Sequence, residues 1–128
     1  MKNKCTWTFI IILAVLALFA GCVYKGSFSA HEEHLQLMGN PTTGYSWFFY
    51  TSNENIVEIS ETIQYLGDEN IVGAPSLFMY KISSCKPGTT ELRFEYKRGW
   101  EKKIPEDVKR YDIKVLENGK IKMKPKKE

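Results

Sequence analysis

The chain has 128 residues, enough for one domain, with 43% hydrophobic and 13% aromatic residues and a net charge of +3. A balance this near to neutral argues against nucleic acid as a partner and against strong attraction to a membrane surface. Three cysteines are too few for a framework of disulfides, so an apolar core must hold the fold.

The chain opens with Lys2 and Lys4, and Trp7 to Ala20 is apolar apart from Thr8. At about 14 residues this run is short of the roughly 20 that cross a bilayer, and it fits a secretory signal. Leu18-Phe19-Ala20-Gly21-Cys22 resembles the bacterial lipobox, which implies that Cys22 is lipidated and becomes the new N-terminus. Cleavage near Ala20 and an uncleaved anchor are the other readings. On the lipobox reading, residues 1–21 are signal, 22–31 a polar tether, 32–124 the domain and 125–128 a basic tail. The protein would then be a lipid-anchored, extracytoplasmic monomer on a cell membrane or outer membrane. Loss of the signal removes two lysines and no acid, leaving 16 basic against 15 acidic residues, a net +1. It also removes Cys5, so with Cys22 lipidated Cys85 stands alone. Roughly 105 residues suffice for an unaided core.

From Glu32 on, short apolar and β-branched runs alternate with turn signals, which predicts an all-β chain, an antiparallel sandwich. Glu33–Met38 is a first strand with Leu35 and Leu37 on one face. Tyr45–Tyr50 is apolar on both faces and is expected to be central. Ile56–Ile59 and Thr62–Leu66 follow as two short pieces. Ser76–Ser83 turns Phe78, Tyr80 and Ile82 one way, and Lys86-Pro87-Gly88 is a tight turn. Thr89–Tyr96 points Leu92, Phe94 and Tyr96 inward, and Arg110–Leu116 does the same with Tyr111, Ile113 and Val115. Asn118-Gly119 is a hairpin signal that returns the chain as an edge strand, Lys120–Met123, guarded by lysines. The lysines beyond Lys120 read as a solvated tail or as a weak attraction to anionic lipid. Three segments stay outside the pattern: 39–44, 68–75 and 97–105. Alternate connections of a sandwich share an end, so the three are expected side by side.

Those segments carry a resemblance. Asn40-Pro41-Thr42-Thr43-Gly44-Tyr45 matches the NPTTG-aromatic motif of the chagasin family of cysteine-protease inhibitors. Val72-Gly73-Ala74-Pro75-Ser76 resembles that family's second loop, and Arg98-Gly99-Trp100 its third, where Arg-Pro-Trp is usual. The resemblance covers about residues 32–116. It implies an immunoglobulin-like sandwich with Greek-key topology that inhibits papain-like cysteine proteases reversibly, by inserting three loops into the active-site cleft. Asn40, Pro41, Thr42, Thr43, Gly44 and Tyr45 would form the central loop, with Thr42 and Thr43 against the catalytic cysteine and histidine. Val72, Gly73 and Ala74 would run along the substrate groove, and Arg98 and Trp100 would pack on the primed side. Gly99 in place of proline is expected to loosen the third loop and raise its ordering cost.

The residues suit such a role. Pro41 has no N–H and a fixed φ, and so makes a poor substrate backbone. Asn40 and Gly44 are turn formers that lower the entropy cost of a fixed loop. Thr42 and Thr43 can hydrogen-bond a thiolate–imidazolium pair without a charge that needs desolvation. Arg98 and Trp100 are residue types enriched in interface hot spots. An immunoglobulin-like adhesion or assembly module without inhibitory activity is the alternative. No enzyme, cofactor or metal is expected. His31-Glu32-Glu33-His34 lacks zinc-protease spacing and places its histidines on opposite faces of a strand. Cys85 has no catalytic frame and reads as a half-buried or strand-end thiol.

Overall fold

The computed structural model describes residues 27–68 and 70–127. The expected signal, Cys5, Cys22 and the first part of the tether lie outside them. Seven strands form: β1 Glu32–Gly39, β2 Tyr45–Thr51, β3 Val57–Tyr65, β4 Ser76–Ser84, β5 Gly88–Arg98, β6 Asp107–Val115 and β7 Ile121–Pro125. All pairings are antiparallel, in two sheets ordered β1-β4-β3 and β2-β5-β6-β7. This is the expected all-β, immunoglobulin-like sandwich.

The period-two alternation of β4 and β5 makes the core. Phe78, Tyr80 and Ile82 from β4 meet Leu92 and Phe94 from β5, all fully enclosed. Ile113 and Val115 of β6 extend this layer, and Ile121 of β7 closes it. The Tyr80 hydroxyl donates to Glu61 Oε2 of β3 at 2.6 Å. Burial first, and that bond second, push the Tyr80 phenol well above its ordinary range.

Two expectations need correcting. β2 is not central: it pairs only with β5 and forms the edge of its sheet. Its apolar outer face has another cause. Trp47 turns into the core, while Phe48 and Tyr50 seat cations, with Lys97 Nζ at 5.4 Å and 5.3 Å from their ring centres. The two short pieces after Ile56 are one continuous strand, β3, held along its length by β4 from Val57 opposite Ser84 to Tyr65 opposite Ser76.

The hairpin at Asn118-Gly119 forms as expected. Gly119 has φ 91°, its N–H donates to Leu116 O, and β7 lies at the sheet edge. The described end of the expected tether is pinned to this turn, since Ser29 N donates to Asn118 O at 3.1 Å. His31 then exchanges bonds with Ser84, its N–H to Ser84 Oγ at 2.9 Å and the Ser84 N–H to His31 O at 2.9 Å. Cys85 is an exposed strand-end thiol.

Connections alternate between the two ends of the sandwich. β1–β2, β3–β4 and β5–β6 turn at one end, and β2–β3, β4–β5 and β6–β7 at the other. The three segments that stood outside the strand pattern therefore share an end.

Candidate functional site

The first loop is a single tight turn. Pro41–Thr43 form one turn of 3-10 helix, with Thr43 N donating to Asn40 O at 3.1 Å and Gly44 N to Pro41 O at 2.9 Å. Proline at the first helical position has the φ the turn needs, and its missing N–H costs nothing there. Gly44 ends the turn in the left-handed region at φ 84°, where a side chain is strained. The Thr43 hydroxyl donates to Asn40 O at 2.6 Å, closing the turn again from within.

The base of this loop is aromatic. Tyr45 stacks on Tyr96 at 5.3 Å, and Trp47 lies 4.9 Å from the same ring. The Tyr96 hydroxyl accepts the Asn40 N–H at 2.8 Å, and Trp47 Nε1 donates to Met38 O at 2.9 Å. Both strands flanking the turn are thus fixed by side chains rooted in the core.

The second loop, between β3 and β4, is shaped by its own short bonds. Asp68 Oδ1 accepts the Asn70 N–H at 2.9 Å, Ile71 N donates to Asp68 O and Ala74 N to Ile71 O. The Asn70 backbone bond first, and its side-chain bond second, hold the Asp68 carboxyl below the ordinary carboxylate range. Gly73 sits at φ 85° with open space around it. Val72 is 79% exposed, whereas Ala74 is buried, so two of the three expected groove residues stand at the surface.

The third loop begins with a turn across Arg98–Glu101, in which Glu101 N donates to Arg98 O at 3.2 Å. Gly99 and Trp100 are its corners, and Gly99 is outside the left-handed region. Trp100 is 71% exposed, yet its ring lies on Gly44 so closely that a Cβ there would overlap it.

Side chains join the three loops to one another. The Gly73 N–H donates to Thr42 Oγ1 at 2.8 Å. The Asn40 amide nitrogen, turned toward its acceptors, donates to Ala74 O at 3.3 Å and Gly39 O at 3.1 Å. Arg98 Nε donates to Thr43 O at 3.1 Å, Nη1 donates to Glu101 Oε1 at 3.1 Å, and the guanidinium lies 4.5 Å from the centre of the Tyr45 ring. Arg98 is half-buried and committed to these partners, so its first task is to clamp the first loop to the third.

The edge that results is neutral at its tip and apolar at its flanks. Thr42 accepts a bond and keeps its own hydroxyl proton to give; Thr43 gives its proton and keeps lone pairs. Among the described residues no three His, Cys, Asp or Glu side chains stand together to hold a metal. Sequence reasoning assigned Tyr96 to the core and passed over Glu101 and the exposed Ile104. Glu101, three residues after Arg98 in a turn, was the one whose partnership had a visible signal.

The sequence pattern described as Chagasin family peptidase inhibitor I42 matches residues 30–115. Amoebiasin-1 of Entamoeba histolytica is 33% identical over 72 residues, spanning 54% of this chain and 67% of that protein. Amoebiasin-2 of the same organism is 33% identical over 69 residues, spanning 53% of this chain and 56% of that one. The crystal structure of the cysteine protease inhibitor EhICP2 from Entamoeba histolytica matches with a TM-score of 0.59 at 30% identity, over 66% of this chain and 78% of the other. The chain belongs to the chagasin family of peptidase inhibitors.

Proposed function

We propose that the protein is a reversible, tight-binding inhibitor of papain-like cysteine proteases, and that it fills the active-site cleft with the three joined loops. The observation that carries this is their mutual bonding at one end of the sandwich, through Thr42–Gly73, Arg98–Thr43 and Trp100 on Gly44. A wedge ordered before it binds loses little entropy on binding. Thr42 and Thr43 lie over the catalytic pair and offer one free donor and free lone pairs without a buried charge. Pro41 removes one N–H from the chain that faces the nucleophile, so the loop docks without being cut. Val72 and Gly73 follow the groove on one side and Trp100 packs on the other, with Arg98 positioning both neighbours. The protein acts as a monomer, by binding and not by chemistry, and needs no cofactor. Lipid on Cys22 holds it at the extracytoplasmic face of a membrane.

Titration of papain with the protein, followed by hydrolysis of a fluorogenic peptide, tests this. Competitive, stoichiometric inhibition is expected. Thr42→Glu and Thr43→Glu should weaken it by at least ~100-fold, about 2.7 kcal/mol, because each puts an unpaired carboxylate into the closed cleft. A folded protein that leaves papain fully active, or acidic variants that inhibit as well as the parent, would overturn the reading. Replacing Cys22 by Ser should abolish incorporation of labelled fatty acid in a bacterial host.

A further inference from the structure

The outer face of the sheet β2-β5-β6-β7 has no part in the loop edge. Its charges are unbalanced. Arg93 and Lys97 on β5 stand with Glu91 and Glu95, and Arg110 and Lys114 on β6 with Asp112. Lys122 and Lys124 of β7, and Lys126 just beyond, point the same way, which makes seven cations against three carboxylates. The outer face of the other sheet carries only Lys81 against Glu32 and Glu58, with His34.

The cations are also set against each other. The register puts Arg93 opposite Arg110 and Lys114 opposite Lys122. Like charges directly opposed across a ladder destabilise a sheet. The three carboxylates are already taken. Lys126 lies 2.6 Å from Glu91 and 3.9 Å from Asp112, and Glu95 is 2.7 Å from Lys97 and 3.4 Å from Arg93. Among the described residues, Lys114, Lys122 and Lys124 have no carboxylate within 4.0 Å, and all three are exposed. Arg93 Nε and Arg110 Nε are enclosed and lack a hydrogen-bond partner. An extended anion would relieve the opposed cations and partner the three exposed lysines; the two enclosed Nε atoms lie beneath its reach.

The path of the chain says which anion is near. It joins the body where Ser29 bonds Asn118, at the β6–β7 turn on the margin of this face. Cys22 is seven residues earlier, at most about 25 Å of extended chain. A lipid there would keep the lysines within reach of headgroups, and such a tether turns weak attraction into steady contact.

We propose that the outer face of β5-β6-β7 is a docking surface for anionic phospholipid headgroups, which lays the sandwich on its side against the bilayer with the loop edge free. The proposal does not depend on the inhibitory reading; from the anchor reading it takes only the nearness of a bilayer. Each free lysine at such a surface strengthens contact roughly fivefold.

The test reconstitutes the full chain into vesicles of phosphatidylcholine alone, or with about one-third phosphatidylglycerol, and maps lysine acylation by mass spectrometry. On the anionic vesicles, labelling of Lys114, Lys122 and Lys124 should fall at least ~fivefold, with Lys81 and Lys86 unchanged, and molar salt should restore it. The double change Lys122→Glu and Lys124→Glu, with an unaltered circular dichroism spectrum, should release Lys114 as well. Equal labelling on both vesicles would overturn the proposal. So would protection by soluble polyphosphate with none from anionic vesicles, which would assign the face to a soluble polyanion.

Discussion

Arg98 shows how one side chain can govern a binding edge without standing at its tip. Its guanidinium bonds Thr43 O and Glu101 and lies over Tyr45, three directions that only a flat, forked cation satisfies together. Arg98→Ala is expected to weaken inhibition ~10- to 100-fold while lowering Tm by only a few degrees, and Arg98→Lys should recover little of the loss. Glu101→Gln should weaken inhibition in the same direction but less, which a purely intermolecular role for Arg98 would not produce. Inhibition constants and melting curves on the three variants separate the cases. Asp68 gives a dependence on acidity. Because its folded carboxyl titrates below the ordinary range, its support for the second loop is complete above about pH 4 and fades as pH falls through the depressed value. The protection of the Asn70 amide, measured against its intrinsic exchange rate at each pH, should hold through mildly acid pH and fall only below it. Asp68→Ala should lower that protection at every pH.

At the level of strands, the alternation in β4, β5 and β6 was plain in the sequence, and so was the hairpin at Asn118-Gly119. The loop motifs were plain too, since short turn-forming runs leave a mark that needs no tertiary context. The position of β2 was not. Phe48 and Tyr50 read as a second buried face, but the rings lie outside as seats for Lys97 and Arg93, and no local pattern reveals a cation supplied from the neighbouring strand. Hidden for the same reason were the bonds between loops: Thr42 and Gly73 are 31 residues apart, and Asn40 and Tyr96 are 56 apart. β7 lies beyond the part of the chain that matches the family, yet it covers Ile113 and Val115 with Ile121, which is 7% exposed. Ending the chain after Glu117 should cost roughly 2 to 4 kcal/mol in denaturant unfolding, since a buried isoleucine is lost and its neighbours are uncovered. The fraction still folded should inhibit as before, because β7 is the sheet edge farthest from β2 and the first loop.

The whole molecule is a sandwich in which one free thiol, Cys85, stands exposed among the described residues, so its stability rests on apolar packing. Reductant should therefore leave Tm unchanged; a fall of several degrees would point to a covalent link in the folded state. The three loops do not arise in the same way. The second and third are hairpin ends, each closed within one sheet by neighbouring strands, whereas the first passes from β1 in one sheet to β2 in the other. β1 and β2 in turn find their partners only in β4 and β5, some forty residues on. Local hairpins close in microseconds, and distant strands pair much more slowly. The NPTTG turn closes on itself locally, but its long-range anchors to Tyr96, Gly73 and Arg98 are then expected to be the last of the three loops' bonds to lock, once both sheets are built and pressed together. Inhibitory power should appear late in refolding, after most strand signal has returned, so that no half-made molecule carries a working edge.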